Sequence, residues 1–196
     1  MKIFQSTGTF LQTSVVGTSN SDKIDVTSAG GFSIASNITT DTNAAGTFAA
    51  SSLAANAVTI TAHGYKTGVV GQLTTAGALP TGLATSTNYY IIVVDANTVK
   101  FASSLANALA GTAITISGGT GNSTFTPTAA SVTVQGQWSI DGVVFVNDGT
   151  AFSIVTSPVV FGVKQDRPPY RYYRLAFALT AGTLTVATTY QINKDT

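Results

Sequence analysis

The sequence predicts an all-β protein, an antiparallel β-sandwich of jelly-roll-like kind interrupted by a small β-rich module with one short helix. Three observations lead there. Apolar residues recur at every second position in short runs, the period of a strand with one buried face. Clusters of Gly, Ser, Asn and Asp separate those runs and supply turn chemistry. The two flanks share this character, whereas the middle of the chain is complete in itself around Tyr89–Phe101, YYIIVVDANTVKF.

In the first flank, Phe10 and Leu11, Val15 and Val16, Ile24 and Val26, and Phe32 and Ile34 mark short strands. Residues 17–22 and 28–31 read as turns, and 37–46 as a polar stretch with Ile38 as its one core residue. The middle opens with alternating Val58, Ile60 and Ala62, ended by His63 and Gly64; Val69, Val70 and Leu73 give a further strand, and Leu79–Gly82 a turn. Tyr89–Val94 is apolar throughout, so both of its faces are expected to be buried, and Asp95–Asn97 turns the chain back into Thr98–Phe101. Ser103 or Ser104 caps a helical turn that Gly111 stops, with Leu105 and Leu109 one turn apart. Ile114 and Ile116 predict another strand, and Phe125 before Pro127 closes the region.

Alternation resumes at Val132 and Val134 and leads into GQWSIDGVVFVNDG, where Ser139–Gly142 is a hairpin turn followed by Phe145. Strands follow at Phe152–Val155 and Val159–Val163. The end reads as a hairpin, Tyr173–Leu179 returning through Ala181 and Gly182 into Leu184–Tyr190. The resulting organisation is a discontinuous sandwich, residues 1–50 with 128–196, and a module at 51–127. An insertion at a loop costs little closure entropy, and neither flank alone has the strands to seal a sheet.

The pieces TITAHGYKTG, GALPTGLATSTNYYIIVVDANTVKFASSLANALAGTAITI and the Gly-rich turn before TFTPT carry a resemblance. Their order and spacing, HG, LPTGL, YYIIVVDANTVKFA and LANALAG, resemble a small β module that recurs in tailed-bacteriophage virion proteins, inserted in or appended to another β domain. The resemblance covers roughly a third of the chain. It implies a structural or surface component of the virion, and the module brings no catalytic residues with it. The SIDG turn also resembles the "SxDG" hairpin of phage and carbohydrate-binding modules, but the single Trp, Trp138, precedes the turn where those proteins place it after.

At 196 residues the chain is long enough for about 70% of its unfolded surface to be buried. Charged residues make up only 9%, there is no Glu, and the net charge is +1. Charge keeps proteins apart, so an uncharged Thr-, Ala- and Gly-rich surface predicts subunit contacts or an assembled particle. With Cys 0, disulfide and thiolate chemistry are excluded. MKIFQSTGTF lacks the apolar core of a signal peptide, and no apolar run approaches a membrane span of about 20 residues. With the resemblance, which implies a virion component, the expected location is the virion after assembly in the host cytoplasm, with no membrane partner.

No reaction is expected either. His63 is the single histidine and lies near no second ligand, so a strand-end role outweighs a metal or triad role. The Asp residues sit in or beside turns, SGGTGN lacks the Lys and helix of a phosphate loop, and no cofactor is implied.

The basic cluster is more informative. Lys164, Arg167, Arg171 and Arg174 hold four of the nine basic residues within eleven positions, interleaved with Tyr170, Tyr172 and Tyr173. Arg and Tyr are enriched at protein interfaces, so Lys164, Arg167, Tyr170, Arg171, Tyr172 and Arg174 are the candidate subunit or shell contact, set against the plainer reading of a solvated loop entering a strand. Nucleic acid ranks last, for want of a broad positive field. The expected partners are other virion proteins, the major capsid protein first, and further copies of the chain, a trimer being the expected symmetric form. The function expected first is therefore capsid decoration. A receptor- or glycan-binding fibre module, stacking sugars on Trp138 or Tyr65, and a connector or tail component are the alternatives.

Overall fold

A computed structural model describes residues 4–15, 18–26, 29–41, 43–50, 53, 55–154, 159–166, 170–181 and 184–194. In chain order the strands are β1 (Phe4–Val15), β2 (Thr18–Asn20), β3 (Ile24–Asp25), β4 (Ala29–Thr40), β5 (Gly46–Ala49), β6 (Val58–Thr59), β7 (Val70–Thr75), β8 (Asn88–Asp95) and β9 (Thr98–Ala102). The helix α1 (Leu105–Leu109) follows, then β10 (Asn122–Pro127), β11 (Ser131–Ser139), β12 (Val146–Ile154), β13 (Val159–Asp166), β14 (Tyr172–Ala181) and β15 (Leu184–Lys194). The chain forms two compact units, one from 1–41, 130–180 and 184–196, the other from 42–129 and 181–183.

The first unit is a two-sheet sandwich. One sheet has the order β1-β15-β4-β13 and the other β12-β11-β14-β2, with β3 also pairing with β14. With β2 and β3 taken as one strand, the unit has eight, and the two sheets run first-eighth-third-sixth and fifth-fourth-seventh-second. That is the strand order of a jelly roll. The core is filled from both sheets, by Ile34, Ile38, Val186 and Ile192 on one side and Ile24, Val132, Val134, Trp138, Tyr173, Leu175 and Phe177 on the other. Inward residues alternate with outward ones along β11 and β14, as a half-buried antiparallel sheet requires.

Three expectations for this unit change. Much of the turns read at 17–22 and 28–31 is strand, Thr18–Asn20 in β2 and residues 29–31 at the start of β4. The last two strands do not form a hairpin, because β14 lies in one sheet and β15 in the other, paired with β1 and β4. Most consecutive strands of this jelly roll change sheets, β11 and β12 being the pair that does not, so a short link between two alternating runs need not be a hairpin turn. The polar stretch after Asn37 is also strand as far as Thr40. Here β4 pairs with β15 on one side (Asn37↔Ala187, Thr40↔Leu184) and with β13 on the other (Ile38↔Val159). Ladder bonds on both edges and the β-propensity of Thr hold it extended without an apolar run.

The second unit is one six-stranded antiparallel sheet, β5-β10-β7-β8-β9-β6. Since β5 pairs with β10 from Gly46↔Phe125 to Ala49↔Asn122, residues 46–49 belong to this sheet, not to the flank that the sequence closes at residue 50. Phe48, Val58, Leu73, Tyr89, Ile91, Val99, Phe101 and Phe125 form its core. The β8–β9 hairpin turns at Ala96 and Asn97, where the Asp95 carboxylate accepts from the Asn97 N–H at 2.8 Å. Along β8, Tyr89 and Ile91 are buried, Tyr90, Ile92 and Val93 half-buried and Val94 exposed, so only one face meets the core. The other face is covered locally: α1 packs on β8 and β9, and Ala102, the cross-strand partner of Tyr90, is fully buried.

The Ser104 hydroxyl caps α1, accepting from the Asn107 N–H at 3.1 Å. Ile114 and Ile116 make no strand. That segment is held by a hydrogen bond from the Ile114 N–H to the Phe101 carbonyl and by the Thr81↔Ser117 bridge, and Ile116 reaches the core from extended chain.

Candidate interaction surface

The SIDG turn joins β11 to β12, and Asp141 organises it. Its Oδ1 accepts from the Ser139 hydroxyl (2.9 Å) and from the N–H groups of Val143 (2.8 Å) and Val144 (2.9 Å), and the Ser139 hydroxyl accepts from the Gly142 N–H (2.8 Å). Gly142 has φ 72, a left-handed conformation that Gly adopts without strain. The Val143 amide first, then the Val144 amide and Ser139, lower the Asp141 pKa from an ordinary 3.8 to about 2.

A pH dependence follows with a fixed sign. A depressed folded-state value makes the turn's carboxylate bonds fully present above about pH 4 and lost as the pH falls through about 2. The Val143 and Val144 amide resonances are expected to titrate together with a midpoint near 2 in a proton NMR titration. A midpoint at the ordinary 3.8 removes this account of the turn.

Beyond Asp141 the turn raises aliphatic side chains into solvent. Ile140 is 71% exposed, Val143 78%, Val144 68% and Val146 52%, and Tyr170 is 39% exposed. Beside them lies a pocket of about 390 Å³ lined by Trp138, Ser139, Ile140, Asp141, Val144, Val146 and Tyr170. Trp138 packs edge-on against Tyr173 at 4.5 Å and tilted against Tyr170 at 6.4 Å. The sequence reading missed Ile140, Val143, Val144 and Val146. Their signal was present, since four aliphatic residues crowd around an Asp-Gly turn whose geometry forces its tip outward.

The basic cluster is divided by the fold. Lys164 lies in β13, opposite Ser33 of β4, whereas Tyr172 and Arg174 lie in β14 of the other sheet, with Tyr170 and Arg171 just before them. Arg167 is outside the described residues. Arg171 is exposed and pairs with Asp25 at 3.0 Å, which raises its pKa, and its guanidinium lies 4.9 Å from the Tyr172 ring. Lys23 stands 5.0 Å from the same ring and donates to the Gly142 carbonyl at 3.2 Å. Arg174 stacks on Phe145 at 3.7 Å, and its Nε donates to the Gln137 side chain at 2.8 Å, which in turn donates to Asn147 at 3.0 Å. Partial burial lowers the Arg174 pKa, and among the described residues neither Arg174 nor Lys23 meets a carboxylate. The outer face of this sheet thus presents two cations that meet no carboxylate among the described residues, Tyr172 and a row of amides.

The two residues expected to stack on sugars are not exposed platforms. Trp138 is 3% and Tyr65 5% exposed. Trp138 shares the inward face of β11 with Val132 and Val134, and the Tyr65 hydroxyl donates to the Ala44 carbonyl at 2.7 Å while burial pushes its pKa up. His63 stacks on Tyr65 at 5.0 Å; its Nδ1 accepts from the Tyr65 N–H at 2.9 Å, and its Nε2 lies 2.9 Å from the Asp95 carbonyl. An Nδ1 that accepts leaves Nε2 as the protonated nitrogen, donating to Asp95. These bonds tie the loop after β6 to the β8–β9 turn. Among the described residues no three His, Cys, Asp or Glu side chains come together.

Fold and surface together define a jelly-roll sandwich with a β module in the connection between its third and fourth strands. No protein-family model matches the chain, and no curated protein matches it. Among solved structures it is similar to VP17, a capsid protein of bacteriophage P23-77, over 99% of each chain, at 10% identity and a TM-score of 0.30.

Proposed function

We propose that this protein is a non-enzymatic structural component of a tailed-phage virion, and within it a decoration or cement protein that binds and stabilises the head shell. The observation that carries the reading is the motif order HG, LPTGL, YYIIVVDANTVKFA and LANALAG, which resembles the recurrent virion module, set on a separately packed unit between the third and fourth strands of a jelly roll. Jelly rolls serve viral capsids and lectins alike, so the fold agrees with this role without selecting it. The low charge of the chain agrees with a life inside an assembly.

The shell contact proposed is Arg171, Tyr172 and Arg174, whose cations and aromatic ring suit an acidic patch on the major capsid protein. Arg171→Ala and Arg174→Ala are each expected to weaken co-sedimentation with empty head shells by about 30-fold or more, the loss produced by a hot-spot Arg. Label or density at regular positions on the head in electron microscopy of the virion is the result expected of a decoration protein. Location in a fibre or in the connector overturns it, as does a failure of the purified chain to bind shells. The sugar-stacking alternative loses support with the burial of Trp138 and Tyr65.

A further inference from the structure

We infer that the apolar patch on the β11–β12 turn is a self-association surface, on which a second copy of this chain seats. Of the seven large apolar residues exposed among the described residues, five gather here: Ile140, Val143, Val144, Val146 and Tyr170. At those exposures the patch spans on the order of 500 Å², near the upper end for the largest apolar patch of a typical monomer. A standard interface takes about 800 Å² from each partner, so this area supplies the greater part of one side.

The occupant follows from shape and charge. Knob and hole occur within the same few residues: Ile140 and Val143 project, and the pocket of about 390 Å³ floored by Trp138 opens beside them. A surface that carries both can be filled by its own copy, the projecting aliphatic side chains of one protomer entering the pocket of the next. The one charged residue lining it, Asp141, commits its Oδ1 to three hydrogen bonds within its own turn. Its carboxylate and the Lys23 ammonium, which donates to the Gly142 carbonyl of the same turn, give this surface one charge of each sign, so a second copy carries the complementary pair. Self-association at the turn does not depend on binding to a head shell, and a separate measurement reads it.

Analytical ultracentrifugation of the purified full chain at micromolar concentration is expected to give an oligomer. Ile140→Asp and Val143→Asp are each expected to raise its dissociation constant by about 30-fold or more, the loss at a hot-spot residue. Val94→Asp, at an exposed apolar residue of the other unit, is expected to leave the mass unchanged. Because the chain has no cysteine, Val143→Cys introduces its single thiol, and a short bis-maleimide is expected to cross-link copies of that variant but not of Val94→Cys. A monomeric wild type, an oligomer indifferent to the turn substitutions, or equal cross-linking at both cysteine positions overturns the inference.

Discussion

Phe101→Ala is expected to destabilise the inserted module by about 3–5 kcal/mol, the range for deleting a buried aromatic side chain. Phe101 is fully buried on β9, and its ring meets Phe48 of β5 at 5.9 Å, Tyr89 of β8 at 6.1 Å and Phe125 of β10 at 5.8 Å. One side chain thus ties four strands of the six-stranded sheet together, and no single neighbour can collapse into the space it leaves. Phe101→Leu, which refills much of the volume, is expected to recover more than half of the loss. Native-state hydrogen exchange at the β8 and β9 amides measures both variants. A loss below about 1 kcal/mol for Phe101→Ala would show that the cluster relaxes and is not the keystone its geometry makes it.

The fold class was legible because a two-residue period writes itself directly into sequence, and the β8–β9 hairpin because a continuous apolar run meets the turn residues Asp95–Asn97. Pairing partners were not legible. Alternation says which face of a strand is buried but not which strand lies beside it, so β14 and β15 read as a hairpin although they belong to different sheets. Residues 37–40 were hidden for the opposite reason, since a strand held by its ladders, on both edges at 37–38 and to β15 at 39–40, needs no apolar pattern to remain extended.

At the candidate surface, sequence proximity gathered Lys164 with Tyr170–Arg174, and the sheet change between β13 and β14 separates them. The burial of Trp138 was within reach of the same reasoning: it shares the parity of Val132 and Val134 on β11, and that parity outweighs the resemblance of its turn to sugar-binding hairpins. Tyr65 gave no such signal, because it lies in a loop and its covering partner, the Ala44 carbonyl, is distant in sequence.

Tyr173→Ala is expected to cost the sandwich about 3–5 kcal/mol, by the same removal of a buried aromatic side chain. Tyr173 is 1% exposed and edge-on to Trp138, and it packs so tightly over β11 that a Cβ at Gly136 would collide with its hydroxyl. Trp138, the single tryptophan, lies in this core and reports on it alone, so its fluorescence transition in denaturant is the direct measurement. Burial, reinforced by Asp148, holds the Tyr173 phenol well above its ordinary value of 10.0. The unfolded chain therefore releases that proton at lower pH than the folded one, and the stability linked to it is fully present below about pH 10 and falls as the pH rises further. Tyr173→Phe keeps the ring and removes the proton, so it is expected to flatten this alkaline loss while keeping most of the stability that Tyr173→Ala forfeits. An alkaline loss of equal size in Tyr173→Phe would assign it to other groups, and would leave the ring of Tyr173, rather than its hydroxyl, as what positions Trp138 beneath the exposed turn.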